Sequence, residues 1–160
     1  MLENNDPNIK DQLKKVEKIK KDDSEKKYLS PEMAEEHKVK GNEFFEKGDY
    51  PNAVKEYTEG LRRDPLNIGI YCNRSQAYIK LMEFNYALKD ADKCLELDPN
   101  YVKAYLRKGT LHHLSKEFHK AMAAYDTGLK LDPSNKELIT GKQRTMMAIQ
   151  ESMHEKGDDE

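Results

Sequence analysis

Five hydrogen-bond donors recur at helical spacing through the middle of this sequence. Lys38 and Asn42 stand four residues apart, Lys103 and Arg107 repeat that interval, and Asn73 falls between the two pairs. Residues four apart share one face of an α-helix. Lys and Arg offer only N–H donors, and the Arg fork can hold one carboxylate through two bonds while Lys and Asn satisfy the remaining lone pairs. Converging from three helices, such a set suits a ligand with paired carboxylates. Charged residues make up 36% of the chain, however, and composition alone favours the plainer reading of solvated polar side chains on charged helices.

The elements that would position these donors follow from an internal repeat. Asp-Pro occurs at 64–65, 98–99 and 132–133, each interval being 34 residues, and this divides the chain into blocks 34–67, 68–101 and 102–135. The eighth position of each block is small (Gly41, Ser75, Gly109), the eleventh a ring (Phe44, Tyr78, His112) and the seventeenth aromatic (Tyr50, Phe84, Phe118). The twentieth is alanine throughout (Ala53, Ala87, Ala121), the twenty-fourth is Tyr57, Ala91 or Tyr125, and the twenty-seventh is Gly60, Cys94 or Gly128. Positions 4, 8 and 11 fall on one stripe of a first helix, and 20, 24 and 27 on one stripe of a second. The small columns allow two helices to approach closely, and the rings fill the space between pairs. Gly48-Asp49 marks the turn inside the first block, and each Asp-Pro stops a second helix. One helical pair cannot bury its own apolar stripe, so consecutive pairs must stack and their ends must be covered.

This pattern resembles the tetratricopeptide repeat. The resemblance implies an all-α fold, a right-handed solenoid of three helix-turn-helix repeats plus a C-terminal capping helix, with the first helices lining a concave groove. Residues 1–30 read as a charged helical linker or the end of a preceding domain, with Ile9, Leu13, Val16 and Ile19 on a weak apolar stripe. Residues 31–153 read as the repeat domain, opened by Ser30 as N-cap and Pro31 as first helical residue. The capping helix is expected over 136–153, with Ile139, Met146, Ile149 and Met153 on its buried stripe. A frayed acidic tail follows over 154–160.

Lys38-Val39-Lys40-Gly41-Asn42, Tyr71-Cys72-Asn73-Arg74-Ser75 and Lys103-Ala104-Tyr105-Leu106-Arg107 are similar to the carboxylate-clamp signature of chaperone-binding tetratricopeptide domains. The resemblance assigns Lys38, Asn42, Asn73, Lys103 and Arg107 to gripping a C-terminal Glu-Glu-Val-Asp of heat-shock protein 70 or heat-shock protein 90, through its terminal carboxylate and its Asp side chain. Tyr28-Leu29-Ser30-Pro31-Glu32-Met33-Ala34, Lys47-Gly48-Asp49-Tyr50-Pro51 and Gln143-Arg144-Thr145-Met146-Met147 narrow it to the family of heat-shock organising co-chaperones, and to the last repeat domain of those proteins. That family carries further repeat domains, so the chain reads as a fragment or a shortened relative. Gln76, Lys80, Thr110 and His113 are candidates for groove positions that select residues upstream of the anchor, with ordinary surface exposure as the other reading.

Other chemistry finds less support. Basic and acidic residues balance, 28 against 30, which disfavours nucleic acid as the partner; the eight lysines within 10–27 are interleaved with acids and read as solvated helix. No apolar run approaches 18 residues and no signal-type segment is present, so a membrane span and secretion are disfavoured. Two cysteines make no disulfide framework, and a reducing, cytoplasmic setting is expected. His112, His113 and His119 lack the carboxylate or thiol spacing of a metal site. No phosphate loop, nucleophile motif or acid/base pair appears. The expectation is a monomeric adaptor without enzyme activity, cofactor or metal. The alternatives are a peptide-binding scaffold without chaperone specificity and the targeting module of a larger protein.

Overall fold

The computed structural model describes residues 7–21, of which 19–21 by backbone alone, and 28–157. Among them are eight α-helices and no strand: α1 (Pro7–Lys21), α2 (Pro31–Glu46), α3 (Tyr50–Arg63), α4 (Ile68–Lys80), α5 (Phe84–Leu97), α6 (Val102–Leu114), α7 (Phe118–Leu131) and α8 (Lys136–Gly157). They fall into two compact units, Met1–Pro99 and Asn100–Glu160.

The helix ends are written in local chemistry. Ser30 Oγ accepts from Met33 N at 3.2 Å with Pro31 in the first turn, Asp49 Oδ1 from Asn52 N at 3.3 Å, and Asn67 Oδ1 from Ile70 N at 3.1 Å. Asn135 opens α8 in the same manner, 3.1 Å from Leu138 N. At the other ends, Asp64, Asp98 and Asp132 each leave helical geometry while donating N–H to Gly60, Cys94 and Gly128 at 2.9, 2.8 and 2.9 Å. A following proline crowds the α region of the residue before it, which is why each second helix stops at this aspartate.

The turn inside each repeat needs one left-handed residue. Gly48 supplies it with φ 76°, as its sequence suggests, but Met82 and Lys116 hold the same place with φ 58°. The closing bonds are equivalent in all three repeats: Asp49 N to Phe44 O at 2.9 Å, Glu83 N to Tyr78 O at 2.9 Å, Glu117 N to His112 O at 2.8 Å. Two non-glycine residues thus pay a backbone cost that the helix pairs on either side enforce.

Within the repeats the small columns touch the rings. A Cβ on Gly41 would stand 2.4 Å from the Tyr57 ring, and one on Gly109 would stand 2.3 Å from Tyr125. In the second repeat Ala91 replaces the tyrosine and Ser75 the glycine; buried Ser75 Oγ donates to Ala87 O at 2.8 Å. The first unit centres on buried Ala34, Ala53, Tyr57, Leu61, Ile70 and Ala77, and the second on Ala121, Tyr125 and Leu138.

Two helical stripes differ from expectation. On α8 the buried residues are Leu138 and Thr145, while Ile139, Met146 and Met153 are exposed. The buried face is displaced by one residue because Gly141 lies against the Tyr125 ring and Thr145 bonds His113, so small and polar residues occupy positions that pattern reading reserves for apolar ones. The helix also continues to Gly157, making 154–157 helical rather than tail; 158–160 lie outside the described residues. On α1, Ile9 and Val16 are buried but Leu13 is 43% exposed, and the Ile19 side chain lies outside the described residues. Helix α1 leans on the second repeat, where Asn8 Nδ2 donates to Glu96 Oε1 at 3.1 Å.

Candidate peptide-binding site

In the first unit, α2 carries Lys38 and Asn42 one turn apart, and α4 carries Asn73. Asn73 Nδ2 donates to Asn42 Oδ1 at 3.1 Å, and the Tyr57 hydroxyl donates to the same oxygen at 2.5 Å. A carbonyl oxygen has two lone pairs, so Asn42 Oδ1 is satisfied and its Nδ2 remains to donate. Tyr57 is 1% exposed. Burial, with Glu46 adding to it, pushes the Tyr57 phenol up to about 12, so it keeps its proton and stays a donor at all ordinary pH values. The ammonium of half-buried Lys38 lies 2.7 Å from Glu35 Oε2. Lys38 first, and Asn67 Nδ2 at 3.2 Å second, hold the Glu35 carboxyl below its usual range.

In the second unit, α6 presents exposed Lys103 and half-buried Arg107 one turn apart. The structure therefore brings Lys38, Asn42 and Asn73 together in one unit and Lys103 with Arg107 in the other. Both sets consist of donors that match carboxylate oxygens.

The remaining candidates have varied surroundings. Gln76 is half-buried and Lys80 is exposed at the end of α4. Thr110 donates to Leu106 O at 2.9 Å and lies 3.5 Å from the Tyr125 hydroxyl. His113 Nδ1 is 2.9 Å from Thr145 Oγ1, whose own proton goes to Gly141 O at 3.0 Å, so the imidazole donates and joins α6 to the capping helix. Burial, then the charge of Arg144, lowers the His113 pKa. Sequence reasoning had no role for Glu35, and it read Tyr57 only as packing; the Gly41–Tyr57 column pair was the available signal, since a ring against Gly41 places its hydroxyl beside residue 42.

Several groups are committed elsewhere. Arg74 grips buried Asp90 through Nε at 2.8 Å and a terminal nitrogen at 2.7 Å, and its other nitrogen donates to Thr58 Oγ1 at 3.2 Å, joining three helices. Cys72 and Cys94 are buried, and the Cys94 thiol is pushed up by its hydrogen bond with Cys72 and by burial, which keeps it protonated and unreactive. Among the described residues no cluster of His, Cys, Asp and Glu could hold a metal, and no helix is long and apolar enough to cross a membrane.

Comparison with known proteins agrees with the repeat architecture. Tetratricopeptide-repeat family models match residues 41–81, 68–101 and 102–135. The chain is 47% identical over 83 residues to the stress-induced phosphoprotein 1 of Caenorhabditis elegans, covering 52% of this chain and 26% of that protein. It is 44% identical over 82 residues to the heat shock protein sti1 homolog of Schizosaccharomyces pombe, covering 51% of this chain and 14% of that protein. The chain thus spans a minor part of the curated relatives it matches. Among solved structures, the TPR2B domain of yeast Sti1 in complex with an Hsp70 peptide superposes with a TM-score of 0.69 at 38% identity, covering 72% of this chain and 98% of that one. The first TPR domain of Spaghetti (RPAP3) bound to the Hsp90 peptide SRMEEVD gives 0.71 at 31% identity, covering 76% and 97%. With its 34-residue period, its helix pairs closed by Asp-Pro and its glycine–tyrosine packing columns, the chain belongs to the tetratricopeptide-repeat family.

Proposed function

We propose that this chain is a co-chaperone docking module for the C-terminal Glu-Glu-Val-Asp tails of heat-shock protein 70 and heat-shock protein 90. Lys38, Asn42, Asn73, Lys103 and Arg107 are the donors proposed for the terminal carboxylate and the aspartate side chain of that tail. The observation that carries this reading is the Asn42 amide, anchored through its oxygen by Tyr57 and Asn73 so that Nδ2 remains as a donor, one helical turn from Lys38. Further support comes from the family members solved with Hsp70 and Hsp90 peptides. The module acts as a monomeric adaptor in the cytosol and performs no catalysis itself.

A free C-terminal carboxylate is required. An amide replaces one acceptor oxygen with an N–H donor, and leaving a buried or charged donor unmatched costs about 1–3 kcal/mol. Isothermal titration with a peptide ending Glu-Glu-Val-Asp, as acid and as amide, at two salt concentrations tests this. The acid form should bind on the order of micromolar, more weakly with added salt, and the amide far more weakly. Equal affinity for both forms would replace the docking module with a scaffold that reads internal peptide.

A further inference from the structure

We infer that Tyr57 is a positioning residue for ligand recognition, fixing through its hydroxyl which end of the Asn42 amide faces the bound carboxylate. The inference rests on the docking role proposed above and deepens it. An asparagine side chain has two ends of similar shape and opposite polarity. Presented nitrogen-first it donates to a carboxylate; presented oxygen-first it repels one. Something must therefore hold the flip.

Asn73 Nδ2 is one anchor, at 3.1 Å from Asn42 Oδ1, but Asn73 is itself a donor proposed to engage ligand. Tyr57 is the buried anchor. Its ring is 1% exposed and lies where a Cβ on Gly41 would approach within 2.4 Å, so glycine at 41 is what admits the ring against α2. Its hydroxyl then meets residue 42, one step along the helix, at 2.5 Å. A buried phenol that keeps its proton remains a donor to that carbonyl oxygen.

The other repeats show what is particular to the first. In the third, the equivalent positions hold Thr110 and Tyr125, 3.5 Å apart, and the hydroxyl of Thr110 donates to Leu106 O instead. In the second they hold Gln76 and Ala91, and Ala91 has no hydroxyl. Only the first repeat pairs an amide at one position with a tyrosine at the other.

The test uses parent chain, Tyr57→Phe, Asn42→Ala, Lys103→Ala and the doubles of Tyr57→Phe with each. Peptides ending Glu-Glu-Val-Asp, acid and amide, are titrated to millimolar concentration by NMR so that weak variants stay measurable. Tyr57→Phe keeps the ring and should raise the Kd for the acid peptide about five- to tenfold, the worth of one hydrogen bond. Its effect should vanish in the Asn42→Ala background and persist in the Lys103→Ala background. In the ligand-free parent, the Tyr57 hydroxyl proton should exchange slowly and lie close to Asn42, and the Asn42 side-chain amide resonances should move in Tyr57→Phe. Unchanged affinity in Tyr57→Phe, or an equal loss with and without Asn42, would overturn the positioning role. A freely exchanging Tyr57 hydroxyl in the parent would overturn it without any variant. A parent that binds acid and amide alike would instead sink the docking role.

Discussion

Glu35 and Lys38 form an ion pair of 2.7 Å on one turn of α2, so the first lysine of the proposed clamp is matched by a carboxylate of its own chain. Asn67 Nδ2 holds the same Glu35 side chain at 3.2 Å. An incoming tail must share or displace this internal anion. Glu35→Gln keeps the shape and removes the competing charge. Because a surface pair is worth about 0.2–1 kcal/mol, the variant should bind an acid-ended tail peptide more tightly, by up to about fivefold, measured by titration at low salt. Weaker binding would mean that Glu35 orients Lys38 rather than competing for it.

Lys103→Ala separates binding from stability. Lys103 is exposed, and surface substitutions change stability by about 0.5 kcal/mol or less. The loss of a charge-assisted hydrogen bond should cost about 1.5–3 kcal/mol of tail affinity. Asn42→Ala loses affinity too, but it also leaves the buried Tyr57 hydroxyl without its acceptor, at about 1–3 kcal/mol of stability. Thermal melts beside the titrations should show Lys103→Ala melting like the parent and Asn42→Ala melting earlier.

The second repeat is stapled by a nearly buried ion pair. Arg74 and Asp90 side chains are 17% and 6% exposed. Removing one partner strands a charge, so Arg74→Ala should lose about 3–5 kcal/mol in urea unfolding. An Arg74→Met/Asp90→Leu double variant should recover most of that, because apolar residues of similar size avoid the desolvation penalty. Equal losses in single and double variants would assign the stability to shape rather than charge.

Gly41→Ala sets two effects against each other. Alanine in a helix interior normally gains about 1 kcal/mol over glycine. Here its Cβ would sit 2.4 Å from the Tyr57 ring, and overpacking of a buried site costs about 1–3 kcal/mol. The variant should therefore melt lower than the parent, and by pushing the ring it should also weaken tail binding. A rise in melting temperature would show that the ring can yield.

His113 gives the junction of α6 and α8 a pH dependence. Burial and Arg144 lower its folded-state pKa below the unfolded value of about 6.5. Between the two values the unfolded chain binds the extra proton, so stability rises with pH there. This contribution is complete above about 6.5 and is lost as pH falls towards the folded value. Comparing melts of the parent and His113→Gln from pH 7.5 to 5 should show a steeper loss in the parent. Parallel curves would remove His113 as the cause.

The sequence by itself determined the repeat. Its 34-residue period, the Asp-Pro stops, the small and aromatic columns and the cap at Ser30 are local or periodic signals, legible because they recur or act within a few residues. The five donors were legible for a related reason, since helical spacing places Lys38 with Asn42 and Lys103 with Arg107. Tertiary structure alone decided what those donors meet. That Asn67 holds Glu35, that Tyr57 and Asn73 share the oxygen of Asn42, and that Arg74 reaches both Asp90 and Thr58 depend on the distance between helix axes, which the small residues set. The capping helix shows the limit most plainly. Its apolar residues Ile139, Met146 and Met153 suggested one face, but the helix turned Leu138, Gly141 and Thr145 inward, because a tyrosine ring needed a glycine and a histidine needed a hydroxyl. A pattern of hydrophobicity cannot register a fit between a small residue and a ring on another helix.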